Sequence, residues 1–267
     1  MVVSTAGIPM HRVLILAFLG LMLASAARAA DVATRHGYTL PPRCANFSGF
    51  YLGGQLGWGY YDTTFSDRDG LGQSIDNGLP NSVNATTSRV NLGPLAGYSF
   101  QSGCMVYGFE ADWSWTSLRA SEHSLDGGQG PAGAADSVTA TSKLQWFGTL
   151  RARTGIVVDN LLLYATGGIA YANFDRTWSF FEDVSATTTN FTSQKTLFGW
   201  TGGVGTEWTW TPNWSLKSEV LYMRFTSDDA RVTGVPPAGV AGVTYRLGSQ
   251  DSVWIIRFGL NYRWGGR

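Results

Sequence analysis

Eight segments of the chain alternate between apolar and polar residues with a period of two, and the charges within them are sorted to one face. The segments are residues 50–60, 89–100, 105–115, 143–156, 163–174, 198–210, 215–222 and 254–264. Every second residue of a strand points to the same side. One side carries all the charges: Arg89, Glu110, Asp112, Lys143, Arg151, Arg153, Glu207, Lys217, Glu219, Arg257 and Arg263. The chain therefore favours a sheet with one charged and one charge-free face.

The charge-free face is the one expected to contact lipid. It is capped at strand ends by aromatic residues, as at Trp115, Trp210 and Trp264, and such aromatic girdles are typical of membrane interfaces. The charged face mixes both signs with glycine, which suits a narrow lumen where buried charges must pair. The sequence predicts an all-β fold, an eight-stranded antiparallel transmembrane β-barrel, with a soluble lipocalin-like barrel as the alternative.

Composition excludes other fold classes. Glycine accounts for 34 of 267 residues, and each glycine inside a helix costs about 1 kcal/mol, so a helical bundle is disfavoured. Aromatic residues make up 13% of the chain, which argues against disorder. Nineteen basic and nineteen acidic residues balance, so no nucleic-acid partner is expected.

The chain start predicts export. Residues 13–23 are an uncharged apolar run followed by Ala27-Arg28-Ala29, which is too short to span a bilayer but typical of a cleaved signal peptide. We predict a signal peptide over 1–29 and a periplasmic N-terminal segment over 30–46. The barrel is expected over 47–264, followed by a C-terminal tail over 265–267.

The connections between the segments differ in length. Short turns at 101–104, 158–160 and 211–213 alternate with long polar stretches at 62–87, 117–141, 175–194 and 226–250. Outer-membrane barrels combine short periplasmic turns with longer external loops. We therefore expect the long stretches to be extracellular loops and both chain ends to face the periplasm.

The candidate site residues are structural. Cys44 precedes the first segment and Cys104 lies in the first short turn. Both are expected at the periplasmic end of the barrel, an oxidising compartment, and we predict a disulfide between them. The glycine runs at 53–59 and 202–205 lack the following helix of a nucleotide-binding loop. No catalytic, cofactor-binding or metal-binding residue is predicted, and no cofactor.

Six ordered motifs resemble those of the alphaproteobacterial outer-membrane immunogenic proteins, porin-family proteins with an OmpA-like barrel. They are Phe47–Gly54, Tyr107–Asp112, Trp146–Gly155 (close to W-x-G-T-x-R-x-R-x-G), Leu163–Gly168, Thr211–Tyr222 and Arg257–Arg263. Together they extend over most of the region 47–264. The resemblance implies an eight-stranded outer-membrane barrel, a surface-exposed antigen and no established catalytic residues.

The predicted function is that of a structural and surface-antigen barrel that supports envelope integrity, with a lumen plugged by paired charges. Eight strands enclose a space that side chains nearly fill. The alternatives are a narrow porin, a loop-based ligand-binding or transport protein (for example for haem) and a lipid-modifying barrel enzyme. Expected partners are outer-membrane lipids and lipopolysaccharide, and the barrel-insertion machinery through the last strand. The expected location is the outer membrane.

Overall fold

Within the part of the chain that the structure describes, nine antiparallel strands carry the alternating segments. The computed structural model describes residues 44–69, 82–125, 137–182, 187–233 and 242–264. The strands are β1 (Gly49–Asp67), β2 (Ser82–Ser102), β3 (Met105–Leu125), β4 (Ser137–Val158), β5 (Leu161–Glu182), β6 (Thr187–Thr209), β7 (Trp214–Phe225), β8 (Asp228–Thr233) and β9 (Thr244–Trp264). The predicted signal peptide over 1–29 and the tail over 265–267 lie outside the described residues.

The strands close into a ring. Neighbours from β1 to β7 pair in chain order, β7 pairs with β9, and β9 pairs back onto β1 from Phe50↔Trp264 to Asp67↔Leu247. Strand β8 pairs with β9 and continues β7 after a break at Thr226 and Ser227. The ring therefore has eight members, which confirms the predicted eight-stranded barrel.

The strands are longer than a membrane requires. Strands β1 to β6 and β9 have 19 to 23 residues, whereas about 9–11 are enough to span a bilayer. The expectation of loops over 62–87, 117–141, 175–194 and 226–250 is wrong for much of their length, because strands continue into each of them. Inward apolar residues sustain the strands there, as at Phe65, Trp178 and Phe180, each at most 3% exposed.

The two ends of the barrel differ. Two-residue turns at Gly103–Cys104 and Asp159–Asn160 lie at one end, and Gly103 and Asp159 have positive φ, which glycine and aspartate tolerate in tight turns. We call this the turn end and the opposite one the loop end. Short turns mark the periplasmic side of such barrels.

The outer surface between the ends is apolar. Large hydrophobic side chains point outward, including Leu56 (57% exposed), Phe109 (58%) and Phe198 (64%). Aromatic contacts flank this surface: Phe50 and Trp264 stack at 5.6 Å near the turn end, and Trp113 and Trp146 stack at 4.2 Å toward the loop end. Within the described residues, no helix has the length and apolarity needed to cross a membrane.

A β-bulge in β4 interrupts the alternation. The register shifts between Trp115 and Leu118 on β3 and between Leu144 and Trp146 on β4, so Gln145 has no partner on β3 or β5. One extra residue reverses which side chains point inward. Leu144 is therefore fully buried and Lys143 is exposed, the opposite of what the sequence alternation predicts.

Candidate functional site

Nine of the eleven residues predicted to share the charged face meet inside the turn-end half of the barrel, and we call them the lumen ion network. They come from β3, β4, β6, β7 and β9: Glu110, Asp112, Arg151, Arg153, Glu207, Lys217, Glu219, Arg257 and Arg263. Each is at most 4% exposed. Charges this deeply buried are tolerated only when they are paired and hydrogen-bonded.

Arg151 is the centre of the network. Its guanidinium lies 2.5 Å from Glu110, 3.0 Å from Asp112 and 2.8 Å from Glu219. Arg257 bridges two of the same carboxylates, at 2.6 Å from Glu219 and 3.1 Å from Asp112. Lys217 donates to Glu110. Three cations and three carboxylates therefore balance in the middle of the barrel.

A second group closes the network toward the turn end. Glu207 accepts from Arg153 at 2.8 Å, from Arg263 at 2.9 Å and from the Ser215 hydroxyl at 2.6 Å. The Tyr51 ring lies beneath the Arg153 guanidinium, with 4.6 Å between them.

Two tyrosines that sequence reasoning did not assign to the site complete the network. The Tyr51 hydroxyl donates to Glu110 at 2.9 Å, and the Tyr164 hydroxyl donates to Glu219 at 3.1 Å. Tyr164 lies in the segment over 163–174, which has no charges and is small or apolar on both faces. The sequence pattern therefore did not indicate that the Tyr164 side chain points inward.

Arg89 and Lys143 do not join the network, so their predicted place in it is wrong. Both are exposed. The bulge at Gln145 turns Lys143 outward. Arg89 lies beyond the end of the β2–β3 ladder at Asn91↔Thr116, where no β3 residue is paired beside it in the described part of the strand, and its long side chain reaches the surface.

Above the network the lumen is filled with apolar side chains. Phe147, Phe174, Leu221 and Ile255 are fully buried there. They come from β4, β5, β7 and β9, and they occupy inward-facing positions of these strands toward the loop end. A water-filled path along the barrel axis would have to cross both this apolar layer and the lumen ion network.

A small ionic group lies within the apolar layer. Arg176 donates to Asp251 and, at 2.9 Å, to Asp228, while the Tyr61 hydroxyl also donates to Asp251. Sequence reasoning missed this group because Arg176 and Asp228 lay in the stretches 175–194 and 226–250, which were assigned to loops, and Asp251 lay outside the alternating segments. The alternation of Phe174, Arg176 and Trp178 was the signal that could have identified the strand.

The turn end is closed by the N-terminal segment. Phe47 is 1% exposed, its carbonyl accepts from Arg263, and its amide donates to the Gln101 side chain at 2.7 Å. A disulfide joins Cys44 to Cys104, with 5.5 Å between their Cα atoms. The segment is thereby fixed across the mouth of the barrel.

Removing the disulfide is expected to weaken this closure. The bond joins residues 60 apart, and cross-links of this kind typically stabilise a protein by about 2–4 kcal/mol. We expect Cys44→Ser/Cys104→Ser to lower the free energy of unfolding by that amount in urea titrations followed by heat-modifiable gel migration. Alkylation of both cysteines in the unreduced wild type would contradict the bond.

A surface ion pair lies beyond the membrane at the loop end. Hydrogen bonds from the Arg246 side chain lower the pKa of the Asp69 carboxyl, with Nη2 at 2.8 Å from Oδ1. The pair therefore contributes above the ordinary pKa of Asp and is lost as the pH falls through the lowered value. We expect Arg246→Gln to raise the pKa of Asp69 in an NMR titration, whereas Arg231→Gln should leave it unchanged.

The described residues include side chains of the types that bind metal ions. No group of three or more His, Cys, Asp or Glu side chains among them is arranged to hold a metal ion. His123 is exposed on β3, with Nδ1 at 2.7 Å from the Thr139 hydroxyl. The chemistry of the lumen is thus the pairing of fixed charges.

Comparison with known proteins gives relatives of the same kind. The family model for the outer membrane protein beta-barrel domain matches residues 16–263. The 31 kDa outer-membrane immunogenic protein of Brucella melitensis is 32% identical over 257 residues, covering 93% of this chain and 98% of the relative. Outer membrane protein A of Yersinia pseudotuberculosis is 26% identical, covering 76% of this chain and 50% of the relative.

Solved structures of low sequence identity were also found. The outer membrane protein OprG of Pseudomonas aeruginosa has a TM-score of 0.48 at 13% identity, covering 84% of this chain and 98% of that one. The outer membrane protease OmpT of Escherichia coli has a TM-score of 0.44 at 10% identity, covering 81% and 97%. The family match and the near full-length relative show that this chain belongs to the outer membrane protein β-barrel family, among the outer-membrane immunogenic proteins, and resides in the outer membrane.

Proposed function

We propose that this barrel is a closed structural and surface-antigen component of the outer membrane that supports envelope integrity. The observation that supports it most directly is that the lumen is filled along both halves of its length. The lumen ion network occupies the turn-end half and the apolar layer occupies the loop-end half. An eight-stranded barrel leaves room for little besides its own side chains.

Charge pairing makes the closure rigid. Arg151 and Arg257 both bridge Asp112 and Glu219 from different strands. Any ion passing through would have to break several such contacts at once in a region of low dielectric, where unpaired charges are costly. The barrel is therefore suited to stiffen the membrane rather than to conduct.

Planar-bilayer recording of the purified full-length protein tests the closed state. We expect no steady conductance at neutral pH, while a general porin reconstituted in the same bilayers should conduct. Steady open channels from heat-modifiable, folded protein would contradict the proposal and favour the narrow-porin alternative.

A deletion strain tests the envelope role. Loss of the protein should increase sensitivity to detergent and to large antibiotics that an intact outer membrane excludes, and the wild-type chain supplied in trans should restore resistance. Equal sensitivity of the deletion and parent strains would contradict the proposed role.

The proposal gives the barrel no enzymatic activity. The names of its relatives describe outer-membrane and immunogenic proteins, and this supports a non-catalytic role. We expect the outer-membrane lipid profile to be unchanged by mass spectrometry after overexpression. A new or depleted lipid species that tracks with expression would instead favour the lipid-modifying alternative.

A further inference from the structure

The outer surface changes abruptly from aromatic to basic toward the loop end of β3 and β4. Trp115 on β3 and Trp146 on β4 are cross-strand partners and point outward. Further from the turn end, beyond the pair Leu118↔Leu144, Arg119 and Lys143 are again cross-strand partners, and both are exposed. This pairing exists because the bulge at Gln145 turns Lys143 out of the lumen.

A third cation lies on the adjacent strand. Arg89 on β2 is exposed and is the register partner of Gly59. A methyl group on Gly59 would lie 3.4 Å from the Leu118 side chain, and Leu118 immediately precedes Arg119. Gly59 and Leu118 both point into the lumen, so Arg89 and Arg119 are at a similar height. The Arg89 side chain starts on the inward face of β2 and reaches the surface beyond the end of the β2–β3 ladder.

In the part of the chain that the structure describes, these cations lack the ion pairs that several other basic residues of the loop end form. Arg68 is paired with Asp229, Lys195 with Asp228 and Arg246 with Asp69, each at 2.8 Å. Within the described residues, Arg89, Arg119 and Lys143 form no salt bridge. Asp175 is the β5 register partner of Lys143, yet it forms no ion pair with it.

Two cations directly opposite each other favour the binding of an anion. Like charges directly opposite each other on neighbouring strands destabilise a sheet. Aromatic girdles lie at the level of the lipid headgroups, so cations just beyond one lie at the depth of lipid phosphates. Arginine binds phosphate through two parallel hydrogen bonds, and lysine binds it as a point charge.

We propose that Arg119 and Lys143, with Arg89 beside them, bind the phosphate groups of a phosphorylated glycolipid of the outer leaflet. The acyl chains of this lipid would cover the apolar surface around Trp115 and Trp146, directly below the cations. The inference deepens the proposed function by naming a lipid partner, and it requires that the barrel stand in the outer membrane.

Native mass spectrometry of the detergent-solubilised full-length protein with bis-phosphorylated lipid A tests the site. We expect Arg119→Gln/Lys143→Gln to weaken binding about tenfold. The matched control, Arg224→Gln/Arg231→Gln, removes two exposed charges from β7 and β8 and should weaken binding less than twofold. The exchange Arg119→Lys/Lys143→Arg keeps both charges and should retain binding.

Two comparisons of ligands identify the chemical group that the site binds. Dephosphorylated lipid A should bind wild type as weakly as phosphorylated lipid A binds Arg119→Gln/Lys143→Gln, and millimolar inorganic phosphate should not displace the glycolipid. Equal losses in both double variants would show that net charge alone matters, and an unchanged affinity would show that no site exists. Either result overturns the inference.

Folding and conductance are measured separately from lipid binding. Each variant is first required to show the heat-modifiable band of a folded barrel, and its substitutions lie on the outer surface, away from the lumen ion network. Open channels in planar bilayers would refute the closed-barrel function without affecting lipid binding, and loss of lipid specificity would refute the site without opening a channel.

Discussion

Replacing Arg151 with methionine is expected to destabilise the folded barrel by about 3–5 kcal/mol, the usual cost of removing one partner from a buried ion pair. Among the described residues, the change leaves Lys217 and Arg257 as the near cations of Glu110, Asp112 and Glu219. Arg153 is more distant, at 3.8 Å from Glu110. Urea titration in detergent, followed by heat-modifiable migration, measures the loss.

Two controls separate lost pairing from lost packing. Arg224→Met removes an exposed arginine and should change stability by less than about 0.5 kcal/mol, as surface changes usually do. Adding Glu219→Gln to Arg151→Met removes the surplus negative charge and should recover part of the loss. A double variant no more stable than Arg151→Met would contradict the charge-balance account.

Replacing Leu144 with lysine is expected to prevent assembly of the barrel or to leave it severely destabilised. The bulge at Gln145 turns Leu144 inward, and its side chain is fully buried in the apolar layer. The substitution would place an ammonium group in that layer. Burying one unpaired ammonium costs several kcal/mol. The measurement is the folded fraction on unheated gels after refolding into detergent.

Lys143→Ala is the matched control for this substitution. It removes the neighbouring exposed side chain, so the folded fraction should remain close to that of wild type. Normal folding of Leu144→Lys would show that Leu144 does not point into the apolar layer, and the outward basic pair would lose its structural basis.

The sequence predicts the turn-end half of the barrel well. Charged residues stand two apart between outward apolar residues, as do Glu110 and Asp112, or Arg151 and Arg153. In a regular strand this spacing places both charges of each pair on the inward face. Cys44 and Cys104 flank β1 and β2 in the chain, and short turns place both at one end. Local alternation and turn length were sufficient there because no irregularity intervenes.

The loop-end half was less predictable for two physical reasons. A bulge adds one residue without a distinctive composition, so Lys143 looked like a lumen residue until its register was known. Extended strands rich in Ser and Thr also resemble loops, which hid the buried Arg176 and Asp251. Their inward direction depends on apolar partners from distant strands, such as Leu221 and Ile255, which no local window can detect.

Ring closure has a kinetic consequence. The disulfide joins residues 60 apart in the chain, whereas the pairing of Phe50 with Trp264 joins residues 214 apart (264 − 50). Contacts between distant parts of a chain form slowly. The bond between Cys44 and Cys104 can therefore form as soon as the β2–β3 turn is exported, before β1 has paired with β9. The N-terminal segment would thus be fixed at the turn end before the pairing of β1 with β9 closes the barrel.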